Sequence, residues 1–459
     1  MARSTRGLTP PAPASGRLPR VLQDVATWTT VLGAAGCAGA ALWRAVRSRP
    51  HPATRVLLLA AAAVVLAGAV VTSLDGGPRW QVAPLAAAVL LALPAGARSA
   101  RRGRRGPRVL LGAAAVLAVG AGSVAVRAFP PLRLPVPSGP HPVGVGEIAW
   151  AGPATDCPAS GLLAQVWYPA AAAGGDPGPY LGRDRDEARR VSAALADAFG
   201  VPPVLLREAA VGRGRAVPGT PVAAGRFPVV LFSPGNLGVR RQNSAWATDL
   251  ASRGRVVVAL DHPCDSAVVV GPEGEAVTST AGGSGDDARD QADADRRVGV
   301  RAQQLRSALD ELARRDSADR LLGGHLDLGA VAAAGHSLGG AAALRAAAQD
   351  ERVDAVVDLD GFPRGADGLD VPVLVLVAGR GTGDPGADAR YARAVEAVTA
   401  GSPDARVVEV AGASHLTFTD APLFLPPLPG LVGSLGREGA VAATARATEE
   451  FLADVLGPR

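Results

Sequence analysis

A serine flanked by glycines, Ser337, has the surroundings of a nucleophile for acyl transfer. It lies in Gly335-His336-Ser337-Leu338-Gly339-Gly340, after an apolar run over 328–334 and before an Ala- and Leu-rich stretch over 338–349. A strand followed by a helix would place Ser337 on a sharp nucleophile elbow and aim the Leu338 N–H at an oxyanion. The five-residue pattern is common by chance, and an ordinary serine in a Gly-rich turn is the alternative. The flanking elements favour the nucleophile.

A serine hydroxyl needs a general base, and that base needs an acid that holds its tautomer. After a nucleophile elbow these partners follow in the order acid, then histidine. His415 comes directly after the last predicted strand, 406–410, and is the predicted base. The other histidines fit this place less well: His51, His141, His262, His325 and His336.

Two aspartates are candidates for the acid. Asp360 follows the strand predicted over 353–359, and Asp384 lies in the loop after the next strand, 371–378. Both fall at the carboxyl edge of the predicted sheet, where loops carry function. Either could instead cap a turn, and the residue types alone do not separate them.

A second oxyanion donor is expected from the loop Ser233-Pro234-Gly235-Asn236-Leu237-Gly238. Its two glycines leave room for backbone N–H groups to face a substrate, and the Leu237 N–H is the predicted donor. A plain Gly-Pro turn is the alternative.

The elements around these residues predict an α/β-hydrolase fold. Apolar runs over 162–168, 227–232, 255–260, 328–334, 353–359, 371–378 and 406–410 are continuous rather than alternating, and they are separated by predicted helices. This pattern is typical of a mostly parallel sheet with helices on both faces. Residues 162–168 are the first predicted strand, 293–315 the longest predicted helix, and 265–290 a predicted loop.

Residues 1–142 have a different composition. Residues 1–24 are predicted to be a disordered tail. Four apolar segments, 25–43, 54–74, 80–97 and 109–128, have the length and composition of transmembrane helices. A soluble Ala-rich bundle is the alternative, but its helices would carry charged faces. Residues 129–142 form a Pro-rich tether, which leaves 143–459 for the catalytic domain.

The arginines predict an orientation in the cell membrane. They cluster between the first and second segments and between the third and fourth, whereas the second loop has only Arg79. Because cytoplasmic loops are enriched in arginine, both termini and the domain 143–459 are predicted to be extracytoplasmic. Four arginines oppose this rule, so a re-entrant or interfacial first segment is the alternative: Arg3, Arg6, Arg17 and Arg20.

Charge and cysteine content argue against other classes of protein. Residues 1–137 hold 17 Arg and only Asp24 and Asp75, so the net charge of +5 originates there. No aromatic residues are interleaved with these arginines, which argues against nucleic acid as a partner. No cysteine spacing suits a metal, and neither a metal nor a cofactor is expected. Cys157 and Cys264 either pair outside the cytoplasm or remain thiols.

Over residues 140–425 the chain resembles the platelet-activating-factor acetylhydrolase family, calcium-independent phospholipases of α/β-hydrolase fold. The segments that carry the resemblance are Gly139-Pro140-His141-Pro142-Val143-Gly144, Trp167-Tyr168-Pro169, Phe232-Ser233-Pro234-Gly235-Asn236-Leu237-Gly238, Gly335-His336-Ser337-Leu338-Gly339-Gly340, Leu359-Asp360-Gly361 and His415-Leu416-Thr417-Phe418-Thr419-Asp420. The Asp-Gly pair and the His-x-x-Phe-x-Asp segment are the specific ones, and they imply Asp360 as the acid. Pro234 stands where the family usually has histidine, and Asn236 looks inserted.

These observations predict a membrane-anchored serine esterase with the triad Ser337, Asp360 and His415. The resemblance implies phospholipids with short or oxidised acyl chains as substrates, at a lipid bilayer. One alternative is a cutinase-like polyesterase or a general carboxylesterase, in which Asp384 could be the acid. The other is a hydrolase-like binding module without catalysis.

Overall fold

A computed structural model describes residues 20–46, 53–73, 79–96, 106–159, 161–379, 381 and 383–457. The chain divides into two compact units, Met1–Pro130 and Pro131–Arg459. Residues 1–19 of the predicted tail and the arginine-rich stretches 47–52 and 97–105 lie outside the described residues.

The described part of the N-terminal unit is helical, with α1 Arg20–Val46, α2 Ala53–Ser73, α3 Ala83–Gly96 and α4 Gly106–Ala128. Helix α1 thus begins inside the segment that the sequence predicts as a disordered tail. Two stretches, Val25–Ala45 and Gly106–Ala128, are long and apolar enough to cross a membrane, whereas the apolar stretches Val56–Val71 and Trp80–Pro94 are shorter. Two of the four predicted spans are therefore long enough to cross a membrane, and the other two are shorter.

These helices pack through small residues and expose large ones. The fully buried positions include Ala34, Ala41, Ala88, Ala92 and Ala115. The exposed positions include Leu32, Leu66, Leu90, Leu110 and Leu117. Small residues allow helix backbones to approach closely, as in membrane bundles, whereas a helix in water would turn its leucines inward.

The C-terminal unit contains a sheet of nine strands in the order β11-β10-β9-β8-β4-β5-β2-β1-β3. The strands of this sheet are β1 Val143–Ala151, β2 Gly161–Pro169, β3 Val217–Pro218, β4 Phe227–Ser233, β5 Val256–Asp261, β8 Leu326–His336, β9 Ala355–Leu359, β10 Val373–Ala378 and β11 Ala405–Val410. Strand β2 is antiparallel to β1 and β5, and the other neighbours are parallel. The sheet is therefore mostly parallel, as predicted.

Strand β1 corrects the prediction that the first strand is 162–168. Two of its residues are glycines. Because glycine has a low strand propensity, the composition of this segment does not predict a strand. A Cβ at Gly144 would overlap the ring of Tyr168 in the paired strand β2, so the glycine is needed for this pairing. Residues of the predicted tether also belong to this unit, since the Ser138 N–H donates to Asp249 Oδ1 at 2.7 Å.

Helices cover both faces of the sheet: α5 Arg185–Ala198, α6 Arg207–Val211, α7 Ser244–Ser252, α8 Asp287–Ala318, α9 Leu338–Ala347, α10 Pro385–Thr399, α11 Pro429–Val432 and α12 Arg437–Val455. Helices α8, α9 and α10 share one apolar core with the sheet, and α7 and α12 share the core on its other face. Adjacent residues of β4, such as Val229 and Val230, belong to opposite cores. This two-sided burial explains why the strands are apolar at every position.

The stretch 265–290 is not the plain loop that the sequence predicts. It contains a hairpin of β6 Val268–Val270 and β7 Ala276–Thr278, and α8 begins at Asp287 rather than near 293. Gly274 has φ 87° in the hairpin turn. The Asp286 side chain accepts the Arg289 N–H and caps α8. Each strand has only three residues, which are too few to show an alternation of apolar and polar residues.

Candidate active site

Ser337 lies on a strained turn between β8 and α9. Its φ is 57° and its ψ is −123°, a conformation that costs a side-chain-bearing residue about 1–3 kcal/mol. Its N–H donates to Leu359 O in the adjacent strand at 3.0 Å. A Cβ at Gly335 would overlap the Gly339 carbonyl, and one at Gly339 would overlap the Ser233 carbonyl. The glycines around the serine are therefore required by close backbone approach.

His415 and Asp360 meet at the carboxyl edge of the sheet. His415 Nδ1 lies 2.7 Å from Asp360 Oδ2, and Asp360 Oδ1 accepts the Ala378 N–H at 2.8 Å. The Asp360 side chain is largely buried and that of His415 is half exposed. Ser414 and Thr417 form a capping box around the short helical turn that begins at His415. The aspartate thus sits in a fixed position, and its partner histidine can reach solvent.

Asp384, the other candidate acid, is placed elsewhere. It is exposed and caps α10, where its Oδ1 accepts the N–H groups of Gly386 and Ala387. The hydrogen bonds of the described residues join His415 to Asp360 and do not join it to Ser337. Such hydrogen bonds often close only when substrate binds.

A second aspartate, Asp358, lies under the elbow. It is fully buried, accepts the Gly361 N–H at 2.8 Å, and occupies the space that a Cβ at Gly340 would need. Burial raises the pKa of Asp358 well above its ordinary value, and the nearby charge of Asp360 adds to this effect. Asp358 therefore supports the turn after β9 from inside the core, whereas Asp360 is the aspartate that contacts the histidine.

The predicted oxyanion loop is held by a buried arginine. Leu237 has φ 58° and its carbonyl accepts the Ala267 N–H at 3.0 Å. Arg301, on α8, is fully buried and donates to the carbonyls of Pro234 and Gly235. The same guanidinium forms an ion pair with Asp265. Burial alone would raise the pKa of Asp265, but the charges of Arg301 and Arg297 hold it well below its ordinary value.

A second serine–histidine pair lies behind this loop. Ser233 Oγ is 2.8 Å from His262 Nε2, and His262 Nδ1 is 2.6 Å from Gln304 Oε1. Ser233 is fully buried, so it cannot meet an ester. Burial, assisted by the charge of Arg301, lowers the pKa of His262 to about 3. This pair is a neutral support for the loop, in agreement with the low rank of His262 among the candidate bases.

A disulfide between Cys157 and Cys264 links the β1–β2 connection to the loop after β5, with 5.8 Å between the Cα atoms. The disulfide lines a cavity of about 310 Å³ that also contacts Asp265, Arg297 and Arg301. Arg297 bonds Asn236 Oδ1 at 2.6 Å, so this cavity adjoins the oxyanion loop. Among the described residues there is no group of three or more His, Cys, Asp or Glu that could hold a metal ion.

Five residues predicted from the sequence follow the carboxyl ends of β4, β8, β9 and β11, on one edge of the sheet: Leu237, Ser337, Leu338, Asp360 and His415. The sequence did not indicate the groups that hold these residues in place. Arg301 and Asp265 carry no motif, because α8 is rich in charged residues and the buried arginine looks like its exposed neighbours. A helical wheel was the available signal, since Arg301 shares the buried face with Val298 and Leu305.

The sheet, its helices and the strained serine elbow define a hydrolase of the serine esterase type. A sequence model of the family described as "Platelet-activating factor acetylhydrolase, isoform II" matches residues 215–457. That match spans more than half of the chain, and the chain belongs to this family. It begins later than the resemblance near residue 140 and extends beyond residue 425.

The chain is also similar to a solved structure, the ferulic acid esterase from Streptomyces cinnamoneus at 2.4 Å resolution. The two share 29% sequence identity with a TM-score of 0.59, over 72% of this chain and 94% of the esterase. No curated protein matches the chain. Family and structural neighbour thus agree on an esterase-type hydrolase and differ in the ester that their names imply.

Proposed function

We propose that the chain is a membrane-anchored serine esterase that hydrolyses carboxylic esters with Ser337, His415 and Asp360. The observation that carries this proposal is the 2.7 Å contact between His415 Nδ1 and Asp360 Oδ2 at the sheet edge that also carries the strained Ser337. A carboxylate fixed on Nδ1 leaves Nε2 free to take a proton, which is the arrangement that activates a serine.

The reaction proceeds by acyl transfer. His415 Nε2 takes the hydroxyl proton as Ser337 Oγ attacks the ester carbonyl, and Asp360 stabilises the imidazolium that forms. The N–H groups of Leu338 and Leu237 bind the tetrahedral oxyanion. The intermediate collapses, His415 gives its proton to the leaving alcohol, and an acyl-serine remains. Water then attacks this ester with His415 again as base, which releases the acid and regenerates Ser337.

Two substrate classes are supported by the comparisons. The family description names platelet-activating factor, which favours phospholipids with a short or oxidised acyl chain. The ferulic acid esterase similarity favours a small carboxylic ester instead, as for a carboxylesterase or polyesterase. We place the phospholipid first because the family match is the specific one and because a lipid bilayer would present such substrates next to the anchor.

The N-terminal unit and the disulfide support the proposed location. The outward leucines of α1 to α4 suit acyl chains, with α2 and α3 as the shorter of four spans. The arginine-rich stretches between the first and second and between the third and fourth apolar segments support an extracytoplasmic location for residues 143–459, because cytoplasmic connections are enriched in arginine. The disulfide between Cys157 and Cys264 supports that side, since disulfides persist in oxidising compartments.

Hydrolysis assays over a graded set of esters test the proposal. Full-length protein in detergent micelles is given phosphatidylcholines whose second acyl chain runs from acetyl to palmitoyl, together with p-nitrophenyl acetate and methyl ferulate. Preference for acetyl or oxidised chains is expected. Preference for methyl ferulate would move the substrate class to the second candidate. If a fluorophosphonate probe labels the wild type no more than S337A, the chain is not a serine esterase.

A further inference from the structure

The side chain of His336, the residue before the proposed nucleophile, lies between two parts of the site. It is buried, with Nδ1 at 3.0 Å from Gln242 Nε2 and Nε2 at 3.0 Å from His415 O. The ring centroids of His336 and His415 are 4.6 Å apart, with 39° between the planes. The His336 side chain therefore contacts both the backbone and the ring of His415, the proposed base.

These two contacts fix one tautomer of His336. An amide nitrogen only donates and a carbonyl oxygen only accepts, so Nδ1 of His336 is the acceptor and Nε2 carries the hydrogen. Burial, together with the nearby His415, lowers the pKa of His336 to about 3. His336 is thus a neutral, directed link throughout the range in which an esterase works.

Gln242 continues the link to the oxyanion loop. Its Oε1 accepts the Gly235 N–H at 3.2 Å while its Nε2 donates to His336. A Cβ at Gly235 would lie 2.9 Å from His336 Nδ1, so the loop backbone is in direct contact with the ring. The hydrogen bonds run in one direction, from the Gly235 N–H through Gln242 and His336 to His415 O. Donors aligned in this way polarise one another.

The same turn holds the histidine segment from a second side. Gln242 O accepts the Asp420 N–H at 3.1 Å, and Asn243 Nδ2 donates to Phe418 O at 2.7 Å. The backbone around His415 is therefore already anchored at residues 418 and 420. In the described part of the chain, the His336 contact is the one side-chain hydrogen bond to the backbone of residue 415, whose side chain is held by Asp360.

We propose that Gln242 and His336 are positioning residues that join the oxyanion loop to the base, so that the donor loop and His415 keep one geometry relative to Ser337. This inference rests on the proposed serine esterase function. Neither residue touches the reacting atoms. Because a displacement of about 1 Å in a reacting group can reduce the rate by about 100-fold, a link of this kind would influence kcat more than KM.

Three variants separate the two ends of the link. Gln242→Met keeps the size of the side chain and removes its three hydrogen bonds, to Gly235, His336 and Asn243. His336→Asn keeps an acceptor near the Nδ1 position, and His336→Gln keeps a donor near the Nε2 position. We expect Q242M and H336N to lower kcat for p-nitrophenyl acetate by about 10- to 100-fold with KM nearly unchanged, and H336Q to recover part of that loss. The double variant Q242M/H336N should be little worse than H336N, because residues that act as a unit are not additive.

The rate of Ser337 labelling by a fluorophosphonate probe should fall in parallel, measured well below the Tm of each variant. His325→Gln is the matched control, since His325 is a partly exposed histidine bonded to Gly225 O outside the site, and it should behave as wild type. Wild-type kcat and labelling in Q242M and H336N, with or without a lowered Tm, would overturn the positioning role and leave the esterase function intact. A wild-type protein that neither labels nor hydrolyses any ester would overturn both.

Discussion

Backbone strain is concentrated at the residues that the proposed mechanism uses. In the described part of the chain four residues other than glycine have positive φ: Leu237 at 58°, Cys264 at 62°, Ser337 at 57° and Asp360 at 57°. Each costs about 1–3 kcal/mol and persists only where surrounding contacts impose it. Three of the four are the proposed oxyanion donor, nucleophile and acid. Cys264 is in the disulfide, two residues after the buried His262 that supports the oxyanion loop.

Replacement of the two candidate acids by alanine distinguishes them. D360A should lower kcat by about 10⁴-fold, because His415 loses the group that fixes its tautomer and stabilises its charge. D384A should leave kcat unchanged and lower stability by about 1 kcal/mol, because it removes the cap of α10 and Asp384 does not contact His415. Hydrolysis of p-nitrophenyl acetate and thermal unfolding measure the two effects. Loss of activity in D384A alone would assign the acid to residue 384.

Asp420 should make stability depend on pH near neutrality. Burial raises the pKa of Asp420 from 3.8 to about 7, although the Ala245 N–H and the Tyr180 hydroxyl favour its charged form. The folded state therefore binds more protons than the unfolded state between these values. The resulting stabilisation is complete below pH 4 and is lost as the pH rises through 7.

Asp420→Asn removes this dependence because the amide stays neutral. The Tm of D420N should match that of the wild type near pH 4 and exceed it increasingly up to pH 8, by at most about 4 kcal/mol in the free energy of unfolding. Other titrating groups are common to both proteins and cancel in the comparison. A difference in Tm that is constant from pH 4 to 8 would contradict a raised pKa for Asp420.

At the scale of elements, α8 is a support for the oxyanion loop rather than only a cover for the sheet. Its buried Arg301 donates hydrogen bonds to two consecutive carbonyls of the loop, those of Pro234 and Gly235. Arg297, one turn earlier in α8, donates to the side chain of Asn236. In a planar trans peptide the N–H points away from the carbonyl. Fixing these carbonyls on the α8 side therefore turns the N–H groups of Gly235 and Asn236 away from α8 and holds the backbone that leads to Leu237.

Arg301→Met should consequently lower kcat by about 10- to 100-fold, less than the loss of an oxyanion donor itself. It also leaves Asp265 buried without its main partner, which costs about 3–5 kcal/mol. The double variant R301M/D265N removes that charge, so its Tm should recover while kcat stays low. Arg314→Met on the exposed face of α8 is the control and should change neither value. Recovery of kcat together with Tm would reduce Arg301 to a purely structural role.

Elements with a long, uniform signal could be predicted from the sequence, and those held by distant contacts could not. The runs before Ser337 and Asp360 are buried on both faces, and their apolar residues predict strands directly. Strand β1 and the hairpin of β6 and β7 are short or Gly-rich, so tertiary pairing decides them. Asp360 and Asp384 both follow strands at the same edge. Their residue types do not separate them, the family resemblance implies Asp360, and in the structure Asp360 is the one within 2.7 Å of His415 Nδ1.

At the scale of the molecule, the family match covers only the C-terminal unit. The N-terminal unit differs from it in the residues that it exposes and in its charge. Its buried positions are rich in alanine, and most of its exposed large side chains are leucine or valine. Its arginines give residues 1–137 a positive charge, whereas residues 138–459 are net negative. The arginines between the apolar segments are the part of this charge distribution that supports the proposed orientation.

The two disulfide cysteines can report that orientation, because the chain has only three cysteines and Cys37 is buried in α1. A Cys37→Ala variant is expressed in bacteria, and the cells are converted to spheroplasts. In these spheroplasts no thiol of the variant should react with a membrane-impermeant maleimide. After treatment with an impermeant phosphine reductant, Cys157 and Cys264 should both react without lysis. Labelling that requires lysis would place the C-terminal unit in the cytoplasm and with it the ester supply of the inner leaflet. Labelling of intact spheroplasts without reductant would contradict the disulfide and keep the location outside. Labelling of intact spheroplasts would mean that the esterase acts on esters of the outer leaflet or beyond it.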